Sequence, residues 1–317
     1  MGRALKRIAK AVLIGGGLFV LWLVAVWPPP VWYRTHWPAE TAFQAMRRHQ
    51  EAPALQRTGG RLYEPVPLDS ISKWVPEAVM AGEDQRFRDH GGIDWVNLRH
   101  ALGYPRDRFT WGVARDRNDL RRALGRAWER RAALRGASTL TQQLAKNLYL
   151  SPSRNPLRKV KEAVTTYRLE SALGKDRILE LYLNVAELGQ EIWGVEAASR
   201  YYFDRPAAAL SLDQAAAIAG MLPFPLRSNP GYKPGRMAYR QQLIIRLLRG
   251  EPVVVPPVPE EEATPVPVES LPPAPLDTMA LPIDSTLPSP DSSPGPVLPL
   301  PDSIPPESLP PPLPKGN

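Results

Sequence analysis

The run Ala11–Trp27 is 17 residues without a charge, with Arg3, Lys6, Arg7 and Lys10 just before it. No other feature restricts the fold as much. At 1.5 Å rise per residue, a helix over this run is about 26 Å long, slightly less than a hydrocarbon core of roughly 30 Å. Ile8 and Ala9, with Trp27, Trp32, Tyr33 and Trp37 placed at the interface, supply the remainder. The flanking basic residues predict an N-terminus on the inside, so everything after Pro28 lies outside the cytoplasm. Where a cleaved signal would show a small-x-small site, this chain has Val26-Trp-Pro-Pro-Pro30. We therefore read a cytoplasmic tail over 1–10 and an uncleaved single-pass anchor over 11–32.

Composition sorts the rest. The chain has 317 residues, no Cys and four His at scattered positions, which excludes a disulfide framework, a thiolate zinc site and a Cys nucleophile. A His-built metal site has no HExxH to support it. Of the 38 Pro, 22 fall in residues 251–317, together with ten acidic residues and one Lys. That segment is expected to be a disordered tail of polyproline character, because it has too little apolar surface to offset its ordering entropy. The remaining 250 residues are then strongly cationic, with 39 basic and 22 acidic side chains, and expect an anionic partner. Outside the cytoplasm that partner is phosphate or anionic lipid and not nucleic acid.

Residues 33–60 read as a linker with one short helical stretch, and 61–250 as one mainly α domain. Apolar residues recur with i, i+3, i+4, i+7 spacing at Ile71, Val75 and Val79, at Leu144 and Leu148, at Val160, Val164 and Tyr167, and at Ile178, Tyr182 and Val185. Ser211-Leu-Asp-Gln214 forms a capping box before an Ala-rich helix.

Four clusters are candidates for chemistry. Glu83-Asp84 closes a helix that begins near Pro76, with Phe87 and His90 following. A carboxylate at the edge of an apolar cleft has a raised pKa and suits acid–base work, although adjacent acids at a helix end are more often merely solvated. Gly136-Ala-Ser-Thr-Leu-Thr-Gln-Gln-Leu-Ala-Lys-Asn147 leads hydroxyl residues into a helix with Ser138 or Thr139 at its N-cap, and such a terminus attracts anions. Arg154, Arg158, Lys159 and Lys161 crowd Glu162, which reads equally as a solvated face or a pyrophosphate clamp. Lys175–Asn184 and Gly189–Phe203 look structural, with Glu180 and Asn184 an i, i+4 pair off the buried face. Between the first two clusters, 99–135 holds eleven Arg near Trp95, Tyr104, Phe109, Trp111 and Trp128, a pattern that suits contact with anionic lipid head groups.

In order and spacing, Glu83-Asp84-x-x-Phe87-x-x-His90-x-Gly92, Gly136-x-Ser138-Thr-x-Thr-Gln-Gln143-x-x-Lys146-Asn147, Arg158-Lys-x-x-Glu162 and Lys175-x-x-Ile-Leu-x-x-Tyr-Leu-Asn184 resemble the motifs of the family-51 peptidoglycan glycosyltransferases. The resemblance covers about residues 62–248, and the chain is similar to the monofunctional class, which lacks a transpeptidase domain. It implies a mainly α, lysozyme-like bilobal domain behind one transmembrane helix of the bacterial cytoplasmic membrane. It also implies polymerisation of lipid II, on a growing lipid-linked glycan, into β-1,4 strands with inversion and release of undecaprenyl pyrophosphate. Glu83 would be the general base and Glu162 the second carboxylate, arranging donor-site charge or holding a metal. Lys146, Arg154, Arg158 and Lys161 would hold the pyrophosphate. Ser138, Thr139, Gln142 and Gln143 would line the cleft, and Asn184 and Glu187 would shape its far wall. Mg²⁺ or Mn²⁺ assists some members, and a transpeptidase or division protein is an implied partner. Ala137 and Glu191 stand where the family commonly has Gly, so the backbone at Glu191 is expected to differ. Two other readings compete: a lysozyme-like hydrolase, which leaves the cationic cluster unexplained, and an inactive scaffold acting through the tail.

Overall fold

The computed structural model describes residues 3–55, 62–106, 108–129, 138–150 and 156–254, all within one unit, Met1–Pro273. Arg154, Gly136, Ala137 and the tail from 255 onward lie outside the described residues. Helix α1 (Arg3–Val24) is followed by α2 (Ala42–Leu55), strand β1 (Leu62–Tyr63), α3 (Trp74–Glu83), α4 (Trp95–Leu102), α5 (Ala114–Glu129) and α6 (Leu140–Tyr149). Then come α7 (Pro156–Ala172), α8 (Lys175–Val185), β2 (Glu187–Gly189), β3 (Ile192–Trp193), α9 (Val195–Phe203), α10 (Leu212–Met221) and α11 (Gly235–Leu248). The architecture is mainly α, as the periodicity requires. The three short strands pair in the order β1-β3-β2, with β1 parallel and β2 antiparallel to β3.

Leu5–Val24 of α1 is long and apolar enough to cross a membrane and is not buried in the protein. Its stretch from Ala11 to Val24 has no charge and lies uncovered, which fits a single-pass anchor. The polypeptide leaving it joins the folded domain. Trp27 and Trp32 are exposed, but Tyr33 is buried and Trp37 packs on the core, so these last two are not interfacial residues. Arg177 of α8 holds them: its Nε donates to the Tyr33 carbonyl (2.7 Å), one Nη to the His36 carbonyl (2.9 Å), and its guanidinium lies 4.4 Å from the Trp37 ring centre. Then Thr41 caps α2 in a reciprocal box with Gln44 (2.9 and 3.1 Å), worth about 1 kcal/mol. The segment expected as a linker thus carries buried side chains, among them Tyr33, Gln44 and Arg47.

Helix α10 is the centre of one half of the core: Ala215–Met221 are all buried, packed between α3 and α11. Small side chains suit that position because they let the neighbouring helices approach closely. In the other half α6 lies against α7, α8 and α2. One apolar row departs from expectation. In α7, Val160 and Tyr167 are exposed, while the buried row is Glu162, Thr165, Thr166 and Leu169. The apolar row borders the face through which α7 meets the anchor. There Lys161 Nζ lies 4.8 Å from the Trp22 ring centre, and Arg168 donates to the Val24 carbonyl.

In the Arg-rich segment, Arg106 is bound by Asp116 and Asp119, and Tyr104 is buried beside Phe109. Trp95 and Trp111, by contrast, are exposed, as are Arg115, Arg117, Arg121, Arg122 and Arg126 on α5.

Candidate active site

Helix α3 runs from Trp74, slightly ahead of the expected start, and ends at Glu83. At Asp84 the backbone leaves helical geometry, so the two adjacent carboxylates part company. Asp84 turns inward, accepting from Leu140 N (3.0 Å) and from His90 Nε2 (3.0 Å). Because His90 Nδ1 accepts from Gly92 N (3.3 Å), the ring proton is assigned to Nε2. Thr139 Oγ1 donates to the Gly92 carbonyl. These contacts stitch the first motif to the N-terminus of α6. Gly92 has φ +98°, and a Cβ there would lie 2.7 Å from Thr166 Cγ2, so only Gly fits between α6 and α7.

Glu83 stays at the surface of the fold with its side chain 13% exposed. One oxygen accepts from Arg240 Nη2 (3.0 Å) and the other from Gln143 Nε2 (3.0 Å). Tyr182 Oη donates to Gln143 Oε1 (2.9 Å), which fixes the amide so that its NH₂ faces Glu83. Burial pushes the Glu83 pKa up, while Arg240, the Gln143 hydrogen bond and Lys146 pull it back. A carboxylate with a raised pKa, held at two oxygens yet partly exposed, is suited to accept a proton. Gln143 and Lys146 lie three residues apart on one face of α6, and Lys146 lowers the pKa of both Glu83 and Glu187.

A second group gathers at the start of α7. Glu162 is buried and accepts from Arg158 Nη1 (2.7 Å, i−4) and from Lys159 Nζ (i−3), and Lys159 also reaches Ser138 Oγ (3.3 Å). Helix α6 links the two groups, carrying Gln143 and Lys146 beside Glu83 while Ser138 at its entry meets Lys159.

Several expected site residues have other positions. Lys161 is not in the Glu162 cluster: it faces Trp22 of the anchor, where desolvation lowers its pKa. Adjacent helical residues point about 100° apart, so Lys161 and Glu162 cannot share a face, whereas Lys159 can. Thr139 and Gln142 are engaged with each other in the capping box of α6 rather than lining a cleft. Asn184 clamps the segment before α3, accepting from Val66 N (2.8 Å) and donating to its carbonyl (2.9 Å), and Glu180 accepts from Leu68 N (2.7 Å). Both are therefore turned into the structure rather than paired on an outer face. Glu187 is buried against Arg47 (2.7 Å). At Glu191 the backbone keeps the left-handed conformation that Gly favours (φ 58°), so the substitution leaves the turn in place at a cost of about 1–2 kcal/mol. A cavity of about 480 Å³ beside Arg34 and Arg177 contains none of the site residues.

Arg240 and Arg47 hold Glu83 and Glu187 without having been singled out from the sequence, where Tyr182 was read only in the apolar row of α8 and in the fourth motif. Arg240 was legible in retrospect, being a charge in the buried row Met237, Arg240, Ile244 of α11. Among the described residues the carboxylates do not present a ready ligand set for a divalent ion. Asp84, His90 and Asp94 approach within 4.8 Å, but Asp84 is held by Leu140 N and His90, Asp94 Oδ1 caps α4, and both oxygens of Glu162 carry cations.

A family model described as Transglycosylase matches residues 52–105 and 106–249, and the chain belongs to this family. Among curated relatives, a "Biosynthetic peptidoglycan transglycosylase" of Azoarcus sp. (strain BH72) is 38% identical over 253 residues, covering 80% of this chain and 98% of the relative. Proteins of the same name from Bordetella avium (strain 197N) and Neisseria gonorrhoeae (strain NCCP11945) are 37% and 36% identical, covering 77% and 76% of this chain and 94% of each relative.

Proposed function

We propose that this chain is a peptidoglycan glycosyltransferase of the bacterial inner membrane, inserted N-terminus in with its catalytic domain outside, that polymerises lipid II. The observation that carries the reading is Glu83, a partly exposed carboxylate whose pKa is raised by burial and whose oxygens are fixed by Arg240 and Gln143. In the proposed step Glu83 takes the proton of the acceptor 4-hydroxyl as that oxygen attacks the anomeric carbon of the lipid-linked glycan. The C1–O bond to undecaprenyl pyrophosphate breaks, the product bond is β-1,4, and the anomeric centre inverts. The leaving group is already good, so the protein's remaining task is to stabilise developing pyrophosphate charge. Arg158, Lys159 and Lys146 suit that task, with Glu162 holding the first two in register. Arg154 is assigned there from the sequence motif alone. The exposed Trp95, Trp111 and arginines of α5 suit contact with anionic lipid. A transpeptidase or division protein remains a proposed partner.

The test is a lipid II polymerisation assay on detergent-solubilised protein with products resolved by length. Glycan from the wild type and a loss of at least 10²-fold in folded Glu83→Gln are expected for a general base. Cleavage of purified peptidoglycan with lipid II untouched would instead make the protein a hydrolase, and neither activity would leave the scaffold reading.

A further inference from the structure

Arg47 is 2% exposed, although it stands on α2, ahead of the residues 52–105 and 106–249 that match the family model. Its Nη2 donates to Glu187 Oε2 at 2.7 Å, and both side chains are more than nine-tenths buried. The guanidinium lies 5.2 Å from the Phe43 ring centre, and Phe43 packs edge-on against Trp193, the cross-strand neighbour of Glu187. So α2 is seated on the β2–β3 hairpin by an aromatic contact and an ion pair joining residues 140 apart in sequence.

Stability alone is a poor account of that pair. Desolvating two charges offsets most of their attraction, and an apolar pair of similar volume is often as stable or more so. What the pair does have is a position next to the proposed chemistry: α2 packs on α6, whose Gln143 donates to Glu83 and which carries Lys146 one turn further on. The charged groups acting on Glu187 are Arg47 from α2, Glu191 from the β2–β3 turn and Lys146 from α6. Lys146 acts in turn on Glu83. Lys146 is thus shared between the carboxylate proposed as the base and one that Arg47 holds.

We propose that Arg47 is a positioning residue for glycosyl transfer: by holding the Glu187 carboxylate it keeps in place an anion that acts on Lys146 of α6, making α2 part of the catalytic apparatus. The role rests on the transferase reading above. Burial raises the Glu187 pKa and Arg47 lowers it. Without Arg47, therefore, Glu187 takes up a proton at higher pH and its hold on Lys146 weakens.

The experiment is steady-state lipid II polymerisation between pH 5.5 and 9 by the full-length protein in detergent. It compares wild type, Arg47→Met, Arg47→Lys, Glu187→Gln and the Arg47→Met/Glu187→Gln double variant, with a thermal melt of each to show that it is folded. Expected for Arg47→Met is a kcat at least tenfold lower at pH 7 with KM changed less than threefold, regained as the pH rises, the acid limb moving up by about one to two pH units. Arg47→Lys should recover most of the rate, and Arg47→Met should add no further loss in the Glu187→Gln background. A folded Arg47→Met with the wild-type rate and pH profile overturns the proposal, as does a loss of the same size in both backgrounds. A wild type inactive on lipid II overturns the transferase reading itself, an outcome distinct from an active wild type indifferent to Arg47.

Discussion

Glu83 has one partner chosen for charge and one for geometry. Arg240, 4% exposed, supplies the charge, and its Nη2 also donates to the Gly82 carbonyl (3.1 Å) at the end of α3. Gln143 supplies the geometry, being held by Tyr182. Removing the charge as Arg240→Met should have two effects. Burial alone would then set the Glu83 pKa, with only Gln143 and Lys146 opposing it, so the acid limb of the pH–rate profile should move to higher pH and be visible in the polymerisation assay. The uncompensated carboxylate should also lower stability by about 3 kcal/mol, measurable by denaturant unfolding. Residue types at the site were legible in the sequence wherever the local spacing dictated a face. Glu162 with Arg158 and Lys159 follows from i−4 and i−3 spacing, and the same rule, applied strictly, turns Lys161 away. Arg240 and Arg47 meet their carboxylates across 157 and 140 residues of sequence, and no local spacing encodes such a meeting.

At the scale of elements, caps and glycines hold the site in place. The capping boxes at Thr139 and Ser211 begin α6 and α10, which carry Gln143 and back the core. The second of these was readable from its pattern, and the equivalent Thr41-x-x-Gln44 signal for α2 went unread because a Pro-flanked segment between an anchor and a domain resembles a linker. Gly194, between β3 and α9, has φ +83°, and a Cβ on it would stand 2.5 Å from the Asn184 carbonyl oxygen. Gly194 N donates to the Ala186 carbonyl (2.8 Å), so the hairpin cannot move aside without breaking that bond. We expect Gly194→Ala to destabilise by at least about 2 kcal/mol, combining the left-handed strain with the overlap, and to lower the melting temperature accordingly. An unchanged melt would mean that the hairpin yields more readily than its contacts imply. The apolar row of α7 lies off the core, which periodicity does not decide: it reports that a helix has an apolar side, not which neighbour covers it.

For the whole molecule, the described contacts place the anchor, α2 and the catalytic helices in one connected structure, while the composition of 251–317 is that expected of a disordered tail. Deleting 251–317 is accordingly expected to leave the polymerisation rate within about twofold of wild type. A folded truncation lacking activity would give the tail a catalytic role. At the other end, Arg177 grips the chain at Tyr33, His36 and Trp37 before it reaches α2. A tug or tilt of the membrane helix would meet α7 first, at Lys161 and Arg168, and then that grip on α8, upstream of the Arg47–Glu187 contact. Placed there, Arg177 would serve as a strain relief, like the collar where a cable enters its housing, for the helices that carry the proposed reacting groups.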